Sequence, residues 1–193
     1  MKAREEVLAA LRAQTLERVP LPALDGVWVE YADPLAQFGA ALARAAGSLV
    51  RVEPGELGTV LAQLPEVQRA ERCCSLVPAL AGNVSPPGEP HAFQDLDVLI
   101  VEASFGVAEN GAVWVGEQVA AVRAGLFLTQ HLVVLLRRSA LVHHLHQAYE
   151  RLGADAGRTG YGCFISGPSK TADIEQALVV GAHGPRSLSV LAY

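Results

Sequence analysis

Glu109-Asn110-Gly111 lies between two apolar runs, Val98 to Val101 and Ala112 to Val115. By composition it is a turn, and it puts a carboxylate at a strand end. Such a group serves as nucleophile or general base when burial tunes its pKa. The competing reading is a solvated turn carboxylate beside a favourable Asn-Gly pair. A second chemical stretch is Ser166-Gly167-Pro168-Ser169, where the apolar run Cys163-Phe164-Ile165 is broken by Gly-Pro. Ser166, Ser169, Thr171 and free backbone amides would converge there on a small ligand at a strand's carboxyl end, unless the stretch is an ordinary helix cap. Two further side chains suit an anion. Arg158 sits in a glycine-bracketed loop just before that strand, and its planar guanidinium matches carboxylate or phosphate. His183 stands in the His-Gly-Pro that closes the region.

Some chemistry is excluded. Pro168 and Ser169 intervene before Lys170-Thr171, so the lysine cannot take its place in a Walker A loop. His143, His146 and Glu150 would share one helical face, a metal-ligand set by type. No HExxH pattern accompanies them, their neighbours His144 and Gln147 read as a solvated face, and no metal site is assigned. Cys73, Cys74 and Cys163 lack the spacing of an iron-sulfur cluster or structural zinc and read as buried, inert thiols. His131 lies in an apolar run and reads as a satisfied core histidine.

The elements that must position these groups alternate. Residues 3–18 read as an amphipathic helix, and Pro20, Pro22 and Gly26 then mark a connection, making residues 1–26 an N-terminal arm laid on the body or on a partner. Residues 27–193 read as one α/β domain. Within it, strands are expected at 27–29, 48–52, 71–78, 98–101, 112–115 and 126–136, and helices at 33–47, 55–63 and 143–153. Asp33 and Pro34 supply a cap and a first helical residue. A loop fills 82–90. After the Gly-Pro break, Ser169 or Thr171 would cap a last helix, with Asp173 and Glu175 at its positive end and Ile174, Ala177, Leu178 and Gly181 on its packed face. The strand Ser187 to Tyr193 closes the chain. The apolar runs at 98–101, 112–115 and 132–136 have no helix between them, so a mixed, largely parallel sheet flanked by helices is expected.

The chain has 193 residues, of which 51% are hydrophobic, enough for one well-buried domain. A net charge of -5 with dispersed arginines leaves no footprint for nucleic acid. No signal peptide and no long uncharged apolar stretch is visible, so a cytoplasmic protein without a membrane span is expected.

Residues 164–191, FISGPSKTADIEQALVVGAHGPRSLSVL, resemble the C-terminal signature of the LUD-domain family, which includes lactate utilization proteins, and GVAENG at 106–111 occupies the place of that family's Ala-Glu-Thr-Gly segment. The resemblance covers roughly residues 30–193. It implies a NagB/RpiA/CoA-transferase-like fold and a role in oxidation of L-lactate to pyruvate beside partner proteins carrying iron-sulfur clusters. Lacking clustered cysteines and a Rossmann glycine fingerprint, the chain itself is expected to bind no redox cofactor and to be the accessory subunit. Its pocket would hold a small carboxylate or phosphorylated ligand. Family I CoA-transferases, which share the implied fold, use a glutamate in a similar turn as nucleophile. A stand-alone acyl-transfer or sugar-phosphate enzyme using Glu109 is therefore one alternative, and a structural scaffold is another.

Overall fold

The computed structural model describes residues 2–14, 26–153, 160–174 and 177–193. At its centre are five parallel strands in the order β1 (Ser48–Arg51), β11 (Ser187–Ala192), β6 (His131–Leu136), β3 (Val98–Glu102) and β2 (Cys73–Ser75). The apolar runs of β3, β6 and β11 are buried almost without a break because both faces of the sheet are covered. Leu99, Val101, Leu132, Val134, Leu136, Leu188 and Val190 pack on one side with Phe38 and Leu42 of α2 (Pro34–Arg44). Val98, Ile100, Val133, Leu135 and Leu191 pack on the other with Leu61 of α3 (Leu57–Gln63) and Leu64, which precedes α4 (Pro65–Gln68). The period of two sends Cys73 and Cys74 into opposite cores.

A smaller sheet orders β7 (Leu141–Val142), β4 (Phe105–Val107), β5 (Ala112–Val115) and β8 (Cys163–Ile165). Here β4, a strand the sequence did not announce, forms the antiparallel hairpin with β5 around Glu109, whereas the run 98–101 read as the other side of that turn is β3 of the large sheet; β8 pairs antiparallel with β5. Helix α6 (Leu145–Leu152) covers this sheet, burying Ala148 against Phe105 and Val107. Asp33 caps α2 as expected: its Oδ1 accepts the Ala36 N–H at 2.9 Å, and Pro34 opens the helix.

Four expectations are corrected. Among the described residues no helix follows the Gly-Pro break; β9 (Lys170–Ile174) and β10 (Ala177–Val180) form an antiparallel hairpin, with Val180 opposite Lys170 and Val179 opposite Thr171. Thr171 and Asp173 are strand residues, Ser169 precedes the strand rather than capping a helix, and Glu175 lies outside the described residues. The hairpin is anchored by tertiary bonds that outweigh local helix-cap chemistry: Gly181 N–H donates to Ser169 O at 2.8 Å and Ser169 N–H to Pro185 O at 2.9 Å. Second, Val27-Trp28-Val29 joins no sheet. Trp28 instead stacks on His146, ring centroids 3.7 Å apart, and leaves Val27 and Val29 exposed. Third, the run at 126–136 begins as the short helix α5 (Gly125–Leu128) and becomes β6 only at His131. Fourth, the strand read at 71–78 is confined to Cys73–Ser75. The first helix, α1, spans Lys2–Ala13; the sequence predicts it to reach residue 18, but Gln14 already lies outside it, and residues 15–18 are outside the described residues. Val7 and Leu11 on it are exposed. Among the described residues no helix is long and apolar enough to cross a membrane.

Candidate functional site

Two turns meet at the end of α2. Gly111 has φ +68° and Gly167 φ +75°, backbone that favours glycine. A Cβ at Gly111 would collide with the backbone of Ala41 and Leu42, and one at Gly167 with the Ala45 carbonyl. Both turns are therefore pressed onto the last turn of α2 and its cap. Ser166 Oγ ties them to each other by donating to Asn110 O at 2.9 Å, while Asn110 Oδ1 closes its own turn by accepting Ala112 N–H at 3.0 Å.

Glu109 projects the other way. Its Oε2 accepts the N–H of Leu145 at 3.0 Å, the first residue of α6, and its own N–H donates to His143 O at 3.0 Å. A carboxylate at that position satisfies one orphan amide and sits at the positive end of the helix. The side chain is exposed.

On the far side of Ser166 lies a pocket of about 250 Å³, walled by Leu126, Leu132, Pro168 and Leu188 and carrying Ser166, Ser169 and His183. It exists because the Ser169–Pro185 and Gly181–Ser169 hydrogen bonds clasp the Gly-Pro turn against His183-Gly184-Pro185. The Ser169 amide is used in that clasp and is not free for a ligand. Cys163 also lines it. Burial pushes this thiol above its ordinary range, so at neutral pH it is the protonated, weakly nucleophilic form.

The structure thus brings together Ser166, Gly167, Pro168, Ser169 and His183. It joins Asn110 and Gly111 to them through Ser166 and leaves Glu109 outside the pocket wall. Thr171 pairs with Val179 in the hairpin, also outside the wall. Arg158 lies outside the described residues. Of the possible metal set, His146 stacks on Trp28, with ring centroids 3.7 Å apart, and His143, like its neighbour His144, is engaged in a hydrogen bond. His143 Nδ1 accepts Tyr31 N–H at 2.9 Å, and His144 Nδ1 accepts Gln147 N–H at 3.3 Å as the cap of α6. His131 Nδ1 pairs with Ser187 Oγ at 2.8 Å. Among the described residues no group of three or more His, Cys, Asp or Glu is placed to hold a metal ion.

Several concavities escaped the sequence, among them one between the two sheets. A cleft of about 450 Å³ opens beyond the carboxyl ends of β3 and β6, lined by Glu102, Ser104, Gln118, Arg137, Ser139 and Arg151 among others. The available signal was Arg137-Arg138-Ser139 directly after an apolar strand, masked when the arginines are read as dispersed.

A five-stranded parallel sheet carrying a second sheet on its carboxyl side, with a glycine turn clasped to a His-Gly-Pro segment, defines an α/β protein of known architecture. A solved structure of a DUF162 family protein from Deinococcus radiodurans matches with a TM-score of 0.66, covering 85% of this chain and 98% of that one at 18% identity, which shows a shared fold. The family model described as LUD domain matches residues 90–193, more than half of the chain, and the chain belongs to that family. It is 38% identical over 90 residues to "Uncharacterized protein YkgG" of Escherichia coli (strain K12). It is 37% identical over 90 residues to "Lactate utilization protein C" of Bacillus pumilus (strain SAFR-032). Each alignment takes in 45% of this chain and 39% or 38% of the relative, so the chain matches about two fifths of the length of these curated relatives.

Proposed function

We propose that the chain acts in lactate utilization as an accessory subunit that holds a small carboxylate and works beside iron-sulfur partner proteins. The observation that carries this reading is the similarity to proteins named Lactate utilization protein C. The clasped pocket supports it, because every residue lining that pocket falls within the stretch matched by the family. Its chemistry suits a short hydroxy or keto acid. Leu126, Leu132 and Leu188 offer an apolar wall to a methyl group, while Ser169 and His183 offer hydrogen-bond donors to a carboxylate at the rim. Oxidation of lactate removes two electrons and two protons. With one adjacent cysteine pair, one distant cysteine and no dinucleotide fingerprint in its sequence, this chain is assigned the binding step, and the electrons go to the partners.

Thermal shift of the purified chain tests the site. L-lactate or pyruvate should raise the melting temperature with concentration, since a ligand of the native state stabilises by RT ln(1 + [L]/Kd). His183→Gln and Ser169→Ala should each weaken the effect. A shift identical in both variants would place the carboxylate elsewhere, and no shift with either acid would remove the pocket from the proposal.

A further inference from the structure

We infer that the cleft beyond β3 and β6 is a second site, separate from the clasped pocket, and that it takes a small molecule bearing a dianionic phosphoryl group. Its position follows from topology. The chain leaves the large sheet at the end of β3 through Ala103 and Ser104 to enter β4, and leaves it again at the end of β6 through Arg137 to Ala140 to enter β7. The two crossings flank a crevice between the sheets at the carboxyl ends of parallel strands, where α/β proteins bind ligands. Its volume of about 450 Å³ is that of a small-metabolite site.

The charges in the cleft are chosen for an anion. Two arginines, Arg137 and Arg151, and one acid, Glu102, line it. Arg137 is held in place: its Nε donates to Glu102 Oε1 at 3.1 Å and to Tyr193 Oη at 3.0 Å, and its Nη2 lies 3.0 Å from Glu102 Oε1. Tyr193 Oη in turn donates to Glu102 Oε1 at 2.8 Å. The pair is largely exposed, and an ion pair in that setting contributes little to stability. Its effect is to orient a guanidinium that has five N–H donors and spends only part of them. Arg151 reaches the cleft from α6, with its guanidinium carbon 5.2 Å from the Phe105 ring centroid and Nη1 donating to Ala140 O at 3.3 Å. It too is positioned and keeps donors over. Ser139 and Ser104 add hydroxyls, and Gln118 Nε2 is fixed by Glu102 O at 3.2 Å and Ser104 Oγ at 3.4 Å. Two pre-oriented forks with hydroxyls beside them match the several acceptor oxygens of a phosphoryl group better than the two of a lone carboxylate.

The test is a calorimetric titration of the full chain with inorganic phosphate at constant ionic strength, with acetate as the monoanion control. Phosphate should bind and acetate should not. Arg151→Gln and Ser139→Ala should weaken phosphate binding, the first by roughly tenfold or more, as expected for losing a charge-assisted bond. Glu102→Gln should tighten it by removing the opposing charge, a change of sign that a purely structural role for these residues does not give. Ser139 is exposed, so its variant remains informative if Arg151→Gln fails to fold. The inference is overturned if phosphate does not bind, if acetate binds equally, or if phosphate affinity is indifferent to Ser139→Ala and Glu102→Gln.

Discussion

Gly167 and Gly111 each hold a left-handed backbone and each lie against the carboxyl end of α2 with no room for a Cβ. Alanine at either position should therefore cost about 2 kcal/mol or more in denaturant unfolding, combining backbone strain with steric displacement of α2. A loss within experimental error would mean the turns are not seated as described. Glu109 makes a different prediction. As acceptor for the first amide of α6 it should contribute about 1 kcal/mol, lost in Glu109→Ala and mostly kept in Glu109→Gln, whose amide oxygen still accepts. Equal destabilisation by both would point to the charge rather than the hydrogen bond. The thiols set a pH dependence. Burial raises Cys73, Cys74 and Cys163, with Cys74 and Asp97 adding repulsion at Cys73. The folded state then holds protons that the unfolded chain has released. The stability they contribute is complete below the ordinary thiol pKa and is lost as pH rises through the folded values. Unfolding free energy should fall as pH rises past the ordinary thiol pKa, and replacing the three cysteines by alanine should flatten that fall; an unchanged slope would contradict it.

At the scale of elements, much was legible. The unbroken apolar runs of β3 and β6 named buried strands, and Asp33-Pro34 named the start of α2, because those signals are local and agree with their surroundings. The hairpin β9–β10 was not legible. Ser169, Thr171 and Asp173 carry residue types that begin helices, and only bonds to Pro185 and Gly181, outside their own turn, choose the strand. Apolar content likewise could not separate α5 from β6, since Leu126-Phe127-Leu128 fits either. The hairpin can be checked by nuclear Overhauser contacts between Thr171 and Val179 together with extended-chain Cα shifts over 170–174. Sequential amide contacts with helical shifts there would refute it. The site shows the same division. Both turns could be found from their glycines, whereas the Ser166–Asn110 bond, 56 residues long in sequence, and the placing of Arg137 and Arg151 on one cleft are products of topology.

For the whole molecule, the parallel sheet is the frame, and the smaller sheet supplies what the frame presents. Its strand β8 delivers the Ser166 turn to the clasped pocket, and its links to β3 and β6 shape the arginine cleft. The two concavities share no lining residue, so their ligands can be tested independently. The proposed role in lactate utilization requires that redox chemistry be done elsewhere in an assembly. The most direct measurement is affinity purification of the tagged chain from its own cells grown on L-lactate, followed by assay for iron, acid-labile sulfide and lactate-dependent dye reduction. The account predicts that iron-sulfur protein and lactate-oxidising activity co-purify with the chain, and that both leave it when the complex is dissociated. A chain that purifies without iron, from cells whose lactate oxidation survives deletion of its gene, would contradict it.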